Sequence, residues 1–107
     1  MLIHRIYIET STIDLSGKGL LNYPKQLLDS EFDKIKQLLI FKNEISEISE
    51  SIIKALPTLK IFEASFNKIG FITPSISLWK DSLAKLKLSN NKLTQLPSGI
   101  FDFNNKL

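Results

Sequence analysis

The amino-acid sequence lacks cysteine, and it lacks the Asn-x-Ser/Thr sequon of N-glycosylation. Without cysteine there is no disulfide, no thiolate ligand for a metal and no cysteine nucleophile. Disulfides and N-linked glycans are typical of secreted proteins. Both absences therefore favour a cytoplasmic (intracellular) protein.

The sequence also lacks a long apolar run. A membrane-spanning helix needs about 18–20 consecutive apolar residues, and the longest runs, such as residues 38–41, are far shorter. The N-terminal segment contains the polar residues His4 and Arg5. This segment has neither the apolar region nor the cleavage site of a signal peptide. We expect neither a membrane span nor a signal peptide.

Charge of one sign is not concentrated in any segment. The 107 residues include 14 basic and 11 acidic ones, for a net charge of +3, with no run of five or more cations. This distribution does not indicate a nucleic-acid-binding protein. The composition, 43% hydrophobic and 23% charged, is that of one folded domain with a modest core.

A repeated pattern is present. Four segments align, and they read TSTIDLSGKGLLNYP, IKQLLIFKNEISEIS, LKIFEASFNKIGFIT and LAKLKLSNNKLTQLP. They begin at residues 10, 35, 59 and 83, and Leu107 would begin a fifth, so the spacings are 25, 24, 24 and 24 residues. Six columns agree across the four units, which chance does not explain.

The fourth segment matches in full the pattern LxxLxLxxNxL followed by xxLP. The chain resembles the leucine-rich-repeat family, in its intracellular type. The resemblance implies an α/β leucine-rich-repeat solenoid, a right-handed horseshoe-like arc with short parallel strands on the concave face and helices or 3₁₀ turns on the convex face. It divides the chain into an N-terminal capping strand at residues 1–9 and a repeat domain at 10–107. Thr10, Lys18 and Ala64 depart from the pattern, which predicts a degenerate first unit and a thinner core in the third.

The ninth column holds Lys18 in the first unit and asparagine in the next three, namely Asn43, Asn67 and Asn91. An asparagine amide can both donate to and accept from neighbouring backbone groups where the chain leaves a strand. We therefore predict a structural ladder of Asn43, Asn67 and Asn91. Lysine cannot accept hydrogen bonds, so the ladder is expected to fail at Lys18.

The segments between the strands predict short helices. Residues 46–57 place Ile48, Ile52 and Leu56 on one helical face, with Ser46 or Ser49 as the N-cap and Pro57 after the end. Residues 23–34 and 73–82 predict similar helices, and Trp79 is interpreted as a core residue rather than a binding aromatic. Residues 97–106, with a glycine and two asparagines, favour a turn or a short 3₁₀ segment.

No constellation of residues predicts catalysis, a cofactor or a metal. The one histidine, His4, has no partners for a triad, and the acidic cluster at residues 29–33 lacks the glycine and terminal glutamate of a calcium loop. The segment from Ser16 to Gly19 lacks the GxxxxGK[ST] motif of a phosphate loop. We expect a protein that is not an enzyme, takes no cofactor and has no small-molecule substrate.

In the leucine-rich-repeat family, ligands usually meet the concave face, so the resemblance implies a binding surface formed by the outward residues of each strand. The candidates are Lys36, Leu39, Phe41, Lys42, Lys60, Ile61, Glu63, Phe66, Lys85 and Lys87. Four of these candidates are apolar, although they occupy outward positions where polar residues are expected. Apolar residues at such positions are typical of an interaction surface. Packing of these residues against a neighbouring loop is an alternative. Lysines surround them, so we expect an acidic protein partner with an apolar anchor.

The resemblance implies a protein–protein interaction module within a larger signalling or scaffold protein. An alternative is the recognition segment of a leucine-rich-repeat kinase, phosphatase or GTPase whose catalytic domain lies outside this chain. A third hypothesis, nucleic-acid binding through the lysines, ranks behind both. Because Leu107 occupies the first position of a further unit, we expect further repeats or a second copy to cover that end.

Overall fold

The computed structural model describes residues 11–97. In chain order, the strands in this range are β1 (Thr12–Asp14), β2 (Gln37–Leu39), β3 (Glu47–Ile48), β4 (Ile61–Glu63), β5 (Phe71–Ile72) and β6 (Lys85–Lys87). The predictions for residues 1–10, including the capping strand and His4, lie outside the described residues, as do those for residues 98–107.

Strands β1, β2, β4 and β6 form one parallel sheet, in that order. Thr12 pairs with Gln37, Gln37 with Ile61 and Ile61 with Lys85, so the register steps by 25, 24 and 24 residues. Side chains alternate between the two faces of a strand. The central residue of each strand faces the core, and these residues are Ile13, Leu38, Phe62 and Leu86.

A second, two-stranded parallel sheet pairs β3 with β5. Ile48 pairs with Ile72, and the amide of Thr73 donates to the carbonyl of Ile48 at 3.0 Å. Ile48 therefore ends a strand and does not belong to the helix that its sequence spacing suggested. The spacing was misleading because Ile48, which is buried at the end of a strand, also lies four positions before Ile52 of the helix.

One α-helix, α1 (Glu50–Ala55), lies in the described residues. Its N-cap is Ser49, one of the two predicted caps, whose hydroxyl accepts from the amide of Ile52 at 3.4 Å. It ends at Ala55 before Pro57, as predicted from the proline. None of the helices in residues 11–97 has the length and apolar character that crossing a lipid bilayer requires.

The segments of the first and third units, where we expected short helices, form 3₁₀ helices. These are Lys25–Leu28 and Ser30–Phe32 in the first unit and Pro74–Trp79 in the third. In the first unit, Asp29 is extended, with φ −74° and ψ 139°, and so separates two single turns. In the third, Thr73 is the N-cap, and its side chain accepts from the amide of Ser75 at 3.4 Å.

The core lies between the two sheets and the helical segments. Its largest buried side chains include Trp79, Phe32 and Phe62. The rings of Phe62 and Trp79 lie 5.4 Å apart at 52°, a geometry that aromatic pairs favour. Trp79 is thus a core residue, as its sequence context indicated.

The predicted fold class, a leucine-rich-repeat solenoid curved into a right-handed horseshoe-like arc, is wrong. The chain forms a small compact globule of 36 × 28 × 20 Å with a radius of gyration of 12.8 Å, as expected for about 100 residues. Strands lie about 4.8 Å apart, so four of them span only about 14 Å. No arc with a concave and a convex face develops in this four-stranded parallel sheet.

Candidate functional site

The outward side chains of β1, β2, β4 and β6 form one surface, which we call the outer sheet face. It consists of Thr12, Asp14, Gln37, Leu39, Ile61, Glu63, Lys85 and Lys87. Five of the ten sequence candidates lie on it, namely Leu39, Ile61, Glu63, Lys85 and Lys87. The candidates assigned to a concave face therefore lie partly on this face and partly beside it.

Apolar residues do not form an unbroken stripe on the outer sheet face. Leu39 pairs with Asp14 on one side and Glu63 on the other, and both of these are carboxylates. Ile61 lies between Gln37 and Lys85. Leu39 and Ile61 are both half-buried, so each adds a limited apolar area within polar surroundings.

Phe41, Lys42 and Phe66 lie in the turns that follow β2 and β4. Lys42 has φ +56° and Phe66 has φ +58°, and the equivalent positions of the other two units hold Asn90 at +58° and Gly17 at +66°. Glycine and asparagine tolerate this left-handed backbone, whereas for a bulky residue it is an outlier. The phenyl ring of Phe66 is 52% exposed, so the aromatic side chain at this strained position faces solvent.

A groove of about 800 Å³ opens where the strands β2, β4 and β6 end. Its lining combines two aromatic rings, four leucines and a polar rim. The lining residues are Phe41, Lys42, Glu63, Ser65, Phe66, Leu86, Lys87, Leu88, Ser89, Asn90, Leu93 and Leu96. The structure thus brings together five sequence candidates: Phe41, Lys42, Glu63, Phe66 and Lys87.

The leucine side of this groove is not predicted by the sequence pattern. The apolar columns of the fourth unit, which predict core positions, hold Leu86, Leu88, Leu93 and Leu96. Leu88 and Leu93 are only half-buried, and Leu96 is 47% exposed. The column pattern gives no signal of this exposure, because these leucines occupy the same columns as residues that are buried in other units.

Five candidates do not line the groove: Lys36, Leu39, Lys60, Ile61 and Lys85. Lys36 and Lys60 precede their strands, and their carbonyls hold the sheet together. The carbonyl of Lys36 accepts from the amide of Lys60 at 2.8 Å, and the carbonyl of Lys60 accepts from the amide of Ala84 at 2.8 Å. The role that the structure gives these two residues is therefore one of backbone pairing.

Positive charge predominates on and around the outer sheet face. Lys42, Lys60, Lys85 and Lys87 have no carboxylate within 4.0 Å in the described part of the chain. The carboxylate of Glu63 accepts from the amide of Ser65 at 2.9 Å, so one of its oxygens is already hydrogen-bonded within the turn. Anionic groups are therefore the complement of this surface.

Each of the three ladder asparagines forms hydrogen bonds in two layers of the structure, where a layer is one repeat unit with its strand and the segment that follows. Asn67 donates to the carbonyls of Ile40 at 2.9 Å and Ala64 at 3.1 Å, and its Oδ1 accepts from the amide of Ile45 at 3.0 Å. Asn43 and Asn91 make the corresponding bonds in their own layers. In the first layer, the amide of Lys18 donates to Oδ1 of Asn43 at 3.0 Å, so this loop is held from the second layer.

Residues 11–97 contain no group of three or more histidine, aspartate and glutamate side chains placed to hold a metal ion. The acidic residues Asp29, Glu31 and Asp33 lie on and beside the 3₁₀ helix Ser30–Phe32. The site described by the geometry is therefore a surface groove with apolar walls and a cationic rim.

No protein-family model matches this sequence. The chain is similar to a probable serine/threonine-protein kinase of Dictyostelium discoideum, with 36% identity over 66 residues. That match covers 62% of this chain and 5% of the kinase, so the chain spans only a small part of the length of this relative.

Proposed function

We propose that the chain is a protein-binding module that recognises its partner through the groove and the adjoining outer sheet face. The motif that resembles the leucine-rich-repeat family supports this class of function. The observation that carries the proposal is Phe66, an aromatic residue in a left-handed backbone conformation, with half of its side chain exposed. Aromatic residues are enriched among the residues that dominate binding energies.

The backbone at Phe66 argues for a role outside folding. A non-glycine residue in the left-handed region costs on the order of 1–3 kcal/mol, and Asn90 occupies the equivalent position of the next unit without a bulky side chain. Burial of Phe66 offsets little of this free-energy cost, because the residue is half exposed. Strain of this kind is concentrated at functional sites, which favours binding as the reason for a phenylalanine here.

The experiment compares two variants with matched exposure. Phe66→Asn removes the ring from the groove, and Phe71→Asn removes an equally exposed ring (54%) from β5, which does not line the groove. The full 107-residue chain and both variants are immobilised and exposed to a nuclease-treated extract of the cells that produce the protein. Proteins recovered with the wild type are identified and titrated against it calorimetrically in purified form.

We expect a purified partner to bind the wild type and the Phe71→Asn variant alike, and to bind Phe66→Asn at least tenfold more weakly. A partner that binds both variants as well as the wild type contradicts the proposal. The double variant Leu39→Ser/Ile61→Ser then measures how far the interface extends over the outer sheet face. Its effect on affinity is compared with that of Leu28→Ser/Leu78→Ser, two leucines that are exposed elsewhere.

A second candidate function is recognition within a longer enzyme. It is favoured by the similarity to a segment that makes up 5% of a probable serine/threonine-protein kinase. In this arrangement, the groove would bind a substrate or a regulator for a catalytic domain in the same polypeptide. Sequencing the transcript that encodes this chain tests the idea: a kinase, phosphatase or GTPase domain in the same reading frame supports it, and a frame with no such domain contradicts it.

A further inference from the structure

We infer that the groove takes an extended acidic segment of a partner protein, with one large apolar side chain inserted between Phe41 and Phe66 and carboxylates on both sides of it. This inference rests on the proposed function and specifies the chemistry of the partner. It is carried by three features of the described residues: the shape of the groove, its apolar lining and the position of its charges.

The groove is larger than one side chain requires. Its volume of about 800 Å³ lies in the upper part of the roughly 300–1,000 Å³ range of ligand sites in proteins. It opens along the ends of three neighbouring strands and continues over the leucines of the last described layer. This shape admits a short stretch of extended backbone together with its anchoring side chain.

The lining of the groove defines the anchor. Phe41 and Phe66 provide aromatic surface, and Leu88, Leu93 and Leu96 provide aliphatic surface that is incompletely buried. An aromatic or leucine side chain that enters this space removes apolar area from water on both partners. Nucleic-acid bases, by contrast, are recognised by successive aromatic rings, and the aliphatic side of the groove offers none.

The charges define the residues that flank the anchor. Lys42 follows β2 and Lys87 belongs to β6, so two strand spacings, about 10 Å, separate their layers. An extended chain advances about 3.3 Å per residue, so complementary carboxylates have to lie at least roughly three residues apart. Glu63 also lines the groove, where its Oε1 accepts the amide of Ser65, and the two lysines outnumber this one carboxylate.

A second copy of this chain fits the groove less well. The protein carries a net charge of +3, and the lysines around the groove would face like charge on another copy. An acidic segment of a different protein instead supplies the counter-charge. Charge complementarity of this kind speeds association and discriminates against basic partners more than it raises affinity.

The test uses a phage library of random twelve-residue peptides selected against the full chain at low salt. We expect the enriched peptides to carry one tryptophan, phenylalanine or leucine with aspartate or glutamate on both sides. A fluorescein-labelled copy of the most enriched peptide is then titrated against the wild type and single variants by fluorescence anisotropy. We expect Phe66→Asn to weaken binding at least tenfold and Lys42→Glu or Lys87→Glu to weaken it about fivefold or more.

The controls are Phe71→Asn and Lys25→Glu, which change an exposed ring and an exposed lysine that do not line the groove. Both are expected to leave the dissociation constant within twofold of the wild type. Basic or uncharged enriched peptides, or affinity unchanged in Phe66→Asn, would overturn the inference. The same holds if a labelled twenty-nucleotide poly(dT) competes for the groove more tightly than the peptide does.

Failure of this inference can be separated from failure of the proposed function. A purified protein partner that depends on Phe66 but has no acidic segment at the contact contradicts the acidic-segment inference and leaves the protein-binding function in place. If neither a protein nor a peptide distinguishes Phe66→Asn from Phe71→Asn, both are wrong. Measurement of unfolding free energies for every variant ensures that a loss of binding is not a loss of folding.

Discussion

The indole Nε1 of Trp79 donates a 3.0 Å hydrogen bond to the carbonyl oxygen of Leu56, the residue that caps the C-terminus of α1. Both side chains are fully buried. The same carbonyl accepts a second hydrogen bond, at 3.2 Å, from the amide of Leu59. A side chain of the third unit thus helps to satisfy the helix end of the second, where backbone carbonyls otherwise lack partners.

Replacing Trp79 by phenylalanine is expected to lower the free energy of unfolding by about 2 kcal/mol. Roughly 1 kcal/mol of this comes from the lost hydrogen bond, since Leu56 keeps its bond to Leu59. The rest comes from the space that the smaller ring leaves in the core. Urea unfolding followed by far-ultraviolet circular dichroism measures the change. Leu78→Ala, in the same 3₁₀ helix but 59% exposed, is expected to change stability by less than about 0.5 kcal/mol.

Asn67→Ala is expected to cost more stability than Asn91→Ala. Asn67 is buried, so its removal leaves the amide of Ile45 without a partner in an apolar setting, at about 1–3 kcal/mol for the unsatisfied group. The carbonyl of Ile40 keeps its hydrogen bond from Asn43. Asn91 is half-buried, so in Asn91→Ala water can replace some of the hydrogen bonds that its side-chain amide makes. Urea unfolding of both variants measures the difference.

Amide hydrogen exchange adds a local measurement to this comparison. In Asn67→Ala, the amide of Ile45 is expected to exchange at least tenfold faster than in the wild type. Equal losses of stability in the two variants, or unchanged exchange at Ile45, would show that the buried ladder is not what stabilises these turns. Asn22→Ala, an exposed asparagine outside the ladder, is the control.

Phe66→Asn is expected to stabilise the fold while it weakens binding. Asparagine tolerates the left-handed backbone of this position, where φ is +58°, so relief of strain is expected to add about 0.5–1 kcal/mol. In a domain of this size, such a gain raises the melting temperature by about 2–8 °C. The reciprocal change, Asn90→Phe at the same φ, is expected to lower the melting temperature. A lower melting temperature for Phe66→Asn would show that Phe66 contributes to folding.

The carboxylate of Glu50 is expected to keep its charge to a lower pH than an ordinary glutamate. The pKa of Glu50 is lowered, first by the hydrogen bond that the hydroxyl of Ser75 donates to it at 2.7 Å, and then by the charge of Lys54, 3.5 Å away. A carboxyl group whose pKa is lower in the folded state stabilises the fold above its unfolded pKa, and this stabilisation is lost as pH falls through the folded pKa.

Carbon-detected NMR titration of the Glu50 side chain measures its pKa directly. Ser75→Ala is expected to raise this pKa toward the ordinary value, and Lys54→Ala is expected to raise it less. A larger effect of Lys54→Ala would reverse the order of the two causes. Because Glu50 is exposed, the effect on overall stability is expected to be small.

The register of the four-stranded sheet could be read from the sequence. Ile13, Leu38, Phe62 and Leu86 stand in one column of the repeat, and they are the buried central residues of the four parallel strands. The N-cap of α1 was also accessible, because a serine before an apolar periodic segment is a strong local signal. These features depend on short-range patterning, which a single sequence contains.

The overall shape and the groove depend on longer-range geometry. The column pattern is the same in a compact stack and in a curved one, so it does not determine the overall shape. The groove needs the exposure of Leu88, Leu93 and Leu96, which share their columns with residues that are buried in other layers. The left-handed backbone at Phe66 was not foreseen either, because a phenylalanine gives no local indication of it.

The hydrogen bonds that the Oδ1 atoms of the asparagine ladder accept from backbone amides all have the same direction along the sequence. Oδ1 of Asn43 accepts from the amides of Lys18 and Leu20, Oδ1 of Asn67 from Ile45, and Oδ1 of Asn91 from Ile69. The donor of every such bond is an earlier residue, so the turn of each unit depends on an asparagine that lies 22 to 25 residues later in the sequence. Cutting the chain before one of these asparagines would therefore leave the turn of the preceding unit without its acceptor.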